Sequence, residues 1–378
     1  MSHWDELVGQ DEAVRTVEAA AADPATLAHS WLITGPPGSG RSTLAAAFAA
    51  ELLAQGEPDG GEHARAMVDA RTHPDLHVLS TDRVVITMEE VRQLVAQSQF
   101  SPSVARWRVV IVEDADRMTE RTSNVLLKAL EEPPPRTVWI LCAPSEADLL
   151  PTIRSRVRTI RLRIPTVADV ARLLEHRDGV EPERAHRAAR EAQSHIGMAL
   201  RLATDEPSRQ RRERTVDLAL RIRTATDAVM AAQELLDTAK ADAEEFGQQQ
   251  DEQERVALLR SLGVEPGGTV PLQLRAELRR LEEDQKRRAT RALRDGVDRV
   301  LVDLLSVWRD LTLIRLGAPV ELVNEAAGPA LRQAADATTA ERAVAALDAV
   351  ATARARIESN VPPLLALEAM AMAFRPKL

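Results

Sequence analysis

Glycine, hydroxyl and guanidinium groups crowd between Trp31 and Thr43, in the stretch WLITGPPGSGRST. Gly35, Gly38 and Gly40 permit a loop whose backbone N–H groups point inward, and a helix N-terminus behind them adds partial positive charge. Such a turn is shaped for a phosphate. The spacing is that of the P-loop, G-x-x-x-x-G-K-[ST], with Ser39 inside it and Ser42 and Thr43 closing it. One residue departs: Arg41 stands where the lysine belongs. An ammonium is a compact point charge and a guanidinium a larger planar fork, so Arg41 holds a phosphate in a register unsuited to hydrolysis. The loop is read as a degenerate site for ATP or ADP, with Mg²⁺ accompanying the nucleotide. Whether it is filled stays open, as does the plainer reading of a Gly-rich strand-to-helix turn.

Hydrolysis at such a loop needs a carboxylate at the end of a neighbouring strand to hold Mg²⁺, and commonly an adjacent glutamate to polarise water. VVIVEDAD puts Glu113 and Asp114 there in inverted order. Glu113 is one methylene too long for the metal role and Asp114 one too short for the base. Misplacement by about 1 Å costs about 10²-fold in rate, so the hydrolytic chemistry is expected to be blunted. A carboxylate cluster that only ends a strand and caps the next helix fits the same residues equally well; both readings stand. The third group is PTIRSRVRTIRLR, Pro151 to Arg163, with five arginines. Alternation puts Arg158, Arg161 and Arg163 on the solvated side of a strand. Arg154 and Arg156 come earlier, after a proline-started turn. An arginine projecting there can complete a neighbouring subunit's γ-phosphate site, a contribution of roughly 10³ to 10⁵ in rate.

These groups need strands ending at one edge of a sheet. Trp31 to Ile33 is a short apolar strand, followed by an Ala-rich helix from Leu44 to Ala54 and preceded by helical spacing over Leu7 to Ala22. A loop at Gly56 to Gly61 and a short helix, Glu62 to Thr72, lead to a strand at Leu76 to Ser80. Thr87 and Glu90 form a capping box before Val91, Leu94 and Val95. Arg108 to Val112 reads as a buried parallel strand, with Glu113, Asp114 and Asp116 at its C-terminal end, where open α/β sheets collect ligands. A helix from Thr119 to Glu132 stops at Pro133-Pro134-Pro135, and Thr137 to Cys142 is another strand. Strands alternating with helices imply a parallel sheet.

The chain has 378 residues, a formal charge of −9 and no Tyr. That length allows two or three domains with a core built from Leu, Val, Ile and Ala. The acidic balance argues against a surface coated in basic groups for nucleic acid. Cys142 is the only cysteine, which excludes an internal disulfide and a multi-cysteine zinc site. His63, His73 and His77 lack regular ligand spacing and are read as surface histidines, so no metal is assigned. With no apolar leader in MSHWDELVGQ and no uncharged span, the chain is read as cytoplasmic, without a membrane partner. After Ile164 the strand signals cease. Thr166 to Arg177, Pro182 to Gln193 and His195 to Thr204 read as short helices. From Ser208 onward nearly everything is helical, including Leu272 to Leu316. Asp242 to Asp284 is so charged that an exposed or mobile excursion is expected, turning at Gly267-Gly268.

Asn124 to Pro134, NVLLKALEEPP, resembles the N-x-LLK-x-LEEPP helix of the bacterial DNA polymerase III clamp loader, a family of the AAA+ class. Leu7-Val8-Gly9-Gln10, ITMEEV at Ile86 to Val91, and Thr152-Ile153 with Ser155-Arg156 resemble further motifs of that family, with Val157 replacing the cysteine of its SRC motif. Ile357 to Leu367 is a weaker likeness to its collar helices. The resemblance implies an α/β P-loop (AAA+) domain with a parallel sheet over 1–164, a three-helix lid over 165–206 and an all-α collar over 207–378. Motor subunits keep the P-loop lysine, Asp-Glu, a polar sensor and a lid arginine. Here stand Arg41, Glu113-Asp114, Ala143-Pro144 and Gly197, while Arg156 is retained. That combination resembles the δ′ subunits, and it implies a finger, Arg156, acting in trans. The implied partners are δ and τ/γ subunits, with the sliding clamp and primer-template DNA met through the assembly. A zinc module common in δ′ chains has no cysteines here, so Glu57 to Thr72 is read as a metal-free replacement. Two alternatives stay open: an active motor ATPase, and a scaffold in which Arg156 makes only interface salt bridges.

Overall fold

The computed structural model describes residues 4, 7–23, 27–57, 61–81, 85–261 and 275–376. The chain divides into two compact units, Met1–Thr204 and Asp205–Leu378. In the first, helix α1 (Asp11–Ala22) precedes strand β1 (Ser30–Thr34), α2 (Arg41–Leu53) and α3 (Glu62–Asp69). Then come β2 (Leu76–Leu79), α4 (Met88–Ser98), β3 (Arg108–Val112), α5 (Glu120–Glu131) and β4 (Thr137–Ala143). The short α6 (Pro151–Arg154) leads into β5 (Arg158–Arg161), and α7 (Val167–Asp178), α8 (Pro182–Glu191) and α9 (Ile196–Thr204) follow. The strands form one sheet in the order β2-β3-β4-β1-β5, every neighbouring pair parallel. This is the expected α/β architecture.

The central strands β3, β4 and β1 are buried at every position, and mostly apolar, because both faces of the sheet are covered. Trp31, Ile33, Val109, Ile111, Val138 and Ile140 pack with α1 and α2 on one face. Leu32, Val110, Val112, Trp139 and Leu141 pack with α4 and α5 on the other. At the edge, β5 has only Ile160 buried; Arg158 and Arg161 are exposed, as anticipated, although they lie on opposite faces of the strand. Arg158 lies over the Trp31 ring at 4.9 Å, Arg161 pairs with Glu146, and Arg163 pairs with Glu12. The capping box of α4 is present in both directions, Glu90 N–H to Thr87 Oγ1 and Thr87 N–H to Glu90. Helices α7, α8 and α9 share a small core of their own.

The second unit is all helical: α10 (Glu206–Arg221), α11 (Ala225–Ser261), α12 (Arg275–Leu316), α13 (Gly328–Asp336), α14 (Ala340–Glu358) and α15 (Pro363–Phe374). The expected all-α C-terminal region is present. Helices α11 and α12 run antiparallel, since Asp242 meets Arg299 and Asp251 meets Arg288. A Cβ at Gly296 would lie 2.6 Å from the Ala239 carbonyl, which makes glycine the residue that admits this approach. Buried Asp310 accepts hydrogen bonds from the Val323 and Asn324 N–H groups, while Arg212 donates to Asn324 and pairs with Asp303. The charged excursion expected at Asp242 to Asp284 is helical through Ser261 and again from Arg275; Gly267-Gly268 lies outside the described residues. Asp242 itself is buried, paired with Arg211 and Arg299.

The histidine reading needs correction. His73 is buried, its Nδ1 accepting the Asp75 N–H, and burial lowers its pKa. His77 is half-buried and meets the Arg108 guanidinium at 2.8 Å. Both belong to the surroundings of a buried ion pair, Asp75 and Arg108, at 3.0 Å. Burial alone would raise the Asp75 carboxyl, but N–H groups of Val104, Ser103 and Ala105 and the Ser103 hydroxyl outweigh it and hold the pKa below 3.8. A hydrophobic-pattern reading misses this because the carboxylate's partners lie about 30 residues away, in the loop before β3.

Asp75→Ala leaves Arg108 buried without its carboxylate and is expected to destabilise the first unit by about 3–5 kcal/mol in urea unfolding followed by tryptophan fluorescence. The folded-state pKa is depressed, so the wild-type contribution is whole above the ordinary value of 3.8 and is lost as pH falls through the lower folded value. The variant should lack that acid-side loss.

Candidate functional site

The loop after β1 is shaped by lack of space. A Cβ at Gly35 would lie 2.6 Å from Ser39 Oγ and 2.8 Å from Leu162 Cβ. Gly38 and Gly40 take left-handed backbone, φ 77° and 93°, and Gly40 caps the start of α2. The segment Leu7 to Gln10 braces the loop from outside. Buried Gln10 donates to the Arg163 carbonyl at 2.7 Å and accepts the Arg163 N–H at 3.0 Å. The Leu7 methyl lies 3.1 Å from where a Cβ of Gly40 would stand. Ser39 is buried, and its Oγ has no hydrogen-bond partner among the described residues. Positive-φ glycines, an unpartnered hydroxyl and a helix N-terminus together fit a phosphate; the backbone N–H groups of Gly38 and of Gly40 to Thr43 would hold it, the Ser39 N–H being bonded to the Pro36 carbonyl at 3.1 Å.

The cations and carboxylates around the loop fit hydrolysis less well. Arg41 is half-buried and turns back, donating from Nη1 to the Gly35 carbonyl at 2.5 Å. Glu113 accepts from Arg71 Nη2 at 2.6 Å. Arg71 extends from a residue with φ 54° after α3, a partner that no motif pointed to. Asp114 makes no capping bond to the turn that follows and lies 3.9 Å from Arg117. Asp116 shares this strand end: burial raises its carboxyl, Asp114 adds to the effect, and Arg117 and Arg41 oppose it. Cys142 is fully buried behind the loop, and burial pushes its thiol up to about 12 against the pull of Arg41. It remains a thiol at neutral pH. The end of β4 offers Ala143 and then Pro144 in the sensor stretch, neither with a polar side chain. Among the described residues no three His, Cys, Asp or Glu side chains gather to hold a metal ion.

From the three-helix segment, His195 reaches the loop. A Cβ on Gly38 would stand 2.4 Å from His195 Cγ, so the imidazole rests directly against the glycine. Its Nδ1 accepts the Met198 N–H at 3.2 Å, ordering the first turn of α9. The sequence marks His195 only as a helix start; the ring's destination is 157 residues away in the chain.

Arg156 belongs to a different part of the surface. It lies between α6 and β5, with its Nη2 2.6 Å from Glu131 at the end of α5. Its Nη1 donates to the Thr152 carbonyl at 2.7 Å and meets Ser155 Oγ at 3.0 Å. Arg154 is also exposed. The structure thus brings Gly35, Gly38, Ser39, Gly40, Arg41, Ser42 and Thr43 together at one sheet end with Glu113 and Asp114, and keeps Arg156 apart from them.

Residues 9–166 match the family described as DNA polymerase III, delta subunit. A DNA polymerase III subunit delta′ of Haemophilus influenzae is 36% identical over 160 residues, 40% of this chain and 48% of that protein. Its Pseudomonas aeruginosa counterpart is 38% identical over 135 residues, 34% of this chain and 41% of that protein. A DNA polymerase III subunit gamma/tau of Mycobacterium bovis is 30% identical over 164 residues, 42% of this chain and 28% of that protein. The chain spans less than half the length of each of these relatives. Its N-terminal part is homologous to bacterial DNA polymerase III subunits of the delta′ and gamma/tau kinds, on an AAA+ fold.

Gly38→Ala forces a side chain into left-handed backbone and into the His195 ring, with an expected loss of about 2 kcal/mol or more in thermal unfolding. Adding His195→Ala should recover part of that loss. Arg41→Lys removes the bond to Gly35 and restores a flexible ammonium, so a rise of about 10-fold in MgATP affinity is expected by calorimetry. An unchanged affinity would show that Arg41 does not limit binding.

Proposed function

We propose that this chain acts as a δ′-type subunit of the bacterial DNA polymerase III clamp loader, weak or inactive in ATP hydrolysis itself and supplying Arg156 to a neighbouring ATPase subunit. The observation that carries the reading is the Glu113–Arg71 ion pair: the carboxylate at the metal position is held by a guanidinium at 2.6 Å. Arg41, bonded to Gly35, likewise faces its own loop instead of a γ-phosphate. Homology to delta′ subunits supports the assignment. In this reading the second unit is the collar that joins δ and τ/γ partners. ATP binding by the assembly favours clamp opening and delivery to primed DNA, and hydrolysis releases it. Arg156, on an exposed turn, donates hydrogen bonds to charge that develops on the neighbour's transferring phosphoryl group. The chain works as part of the DNA-directed DNA polymerase holoenzyme, in the cytoplasm, and ATP or ADP at its own loop is a structural ligand.

A motor role is the second reading, favoured by the gamma/tau relative. Sustained ATP turnover by the purified chain would support it. For the finger, Arg156→Ala is the test: in the reconstituted assembly, the site it completes should lose roughly 10³ to 10⁵ in DNA-stimulated turnover, with assembly intact by gel filtration. Unchanged turnover would leave the scaffold reading in its place.

A further inference from the structure

We infer that Glu131 is a positioning residue for Arg156, holding the guanidinium in the orientation from which it meets a neighbour's phosphate. The inference rests on the finger reading above. Glu131 is the last residue of α5 and Pro133 follows closely, so its place is fixed by a helix that cannot continue. A carboxylate at a helix C-terminus sits at the negative end of the dipole, where a cation is the favoured group. Here the cation comes from another element. Arg156 reaches Glu131 at 2.6 Å while its other nitrogen is bonded to the Thr152 carbonyl at 2.7 Å and to Ser155. The guanidinium is therefore fixed at both terminal nitrogens, one by α5 and one by α6.

Both partners are substantially exposed, with side chains 35% and 45% accessible. Surface pairs of this kind contribute little to folding. The pair thus has little to do for stability, yet it restricts an arginine whose long side chain would otherwise sample many rotamers. A planar donor fork held in advance loses less freedom when it engages a phosphate. The same pair explains what the first glutamate of the LEEPP stretch does: it delivers a carboxylate to the turn that carries the arginine.

The test is a double-mutant cycle in the reconstituted assembly, reading kcat and KM for ATP under DNA stimulation. Glu131→Gln keeps size and polarity and removes the charge; it is expected to lower kcat at the completed site about 10- to 100-fold with KM little changed. Glu131→Asp should fall between it and wild type, and the chain's melting temperature should stay unchanged in both. In the Arg156→Ala background, Glu131→Gln should have no further effect, because its action passes through Arg156. Full activity of Glu131→Gln beside an impaired Arg156→Ala would overturn the positioning role and leave the finger standing. An equal loss on both backgrounds would also overturn it. Full activity of Arg156→Ala would overturn the finger reading and this inference with it.

Discussion

No side chain fits at Gly35 or Gly38, and the first unit is assembled around those two points. Gly35 lets Ser39 and the Leu162 side chain after β5 close on the end of β1; Gly38 lets the His195 ring settle on the loop. Edge strand, glycine loop and three-helix segment therefore meet where the backbone is bare. Gln10 completes the joint by tying the loop's Ser39 region to the backbone of Arg163. The loop conformation is thus a property of the whole unit, held by elements from its first residues to its last helix.

Charge is distributed around this joint by the same economy of contacts. Arg41, Arg71, Glu113, Asp114 and Asp116 share the C-terminal end of the sheet, where Arg41 turns to a carbonyl of its own loop and Arg71 to Glu113. Asp75 and Arg108 do the equivalent work at the start of β2 and β3, where a buried carboxylate gathers three backbone N–H groups from one loop. In the second unit Asp310 plays a similar part for the segment before α13. Asp75 and Asp310 are buried charges bonded by backbone N–H groups, which fixes loop geometry more firmly than apolar contact alone.

Much of the architecture was legible because its signals are local. Runs such as Arg108 to Val112 declare a strand covered on both faces, Thr87 and Glu90 declare a helix start, and the glycine spacing from Gly35 to Gly40 declares a strand-loop-helix turn. Arg158, Arg161 and Arg163, read as solvated, are exposed, but what exposes them is the place of β5 at the sheet edge, which strand pairing and not alternation decides, since Arg158 and Arg161 lie on opposite faces of the strand. The reading of His73 and His77 as surface groups failed for a physical reason: histidine is amphipathic, and its burial depends on partners, Asp75 and Arg108, that no local pattern reveals. For the charged stretch from Asp242 to Asp284, composition counts charges without knowing which are paired: Asp242 itself is buried against Arg211 and Arg299.

The sequence by itself determined which groups are available: a P-loop spacing with arginine in place of lysine, inverted carboxylates, and an arginine-bearing turn after a proline. These follow from residue type and separation along the chain, which fix backbone options and chemistry locally. The tertiary structure alone decided how those groups are spent. That Arg71 answers Glu113 across 42 residues, that His195 covers Gly38, and that Glu131 meets Arg156 are facts of chain return. Short-range pattern cannot encode them, because they depend on how the parallel sheet and its covering helices bring distant turns to the same end.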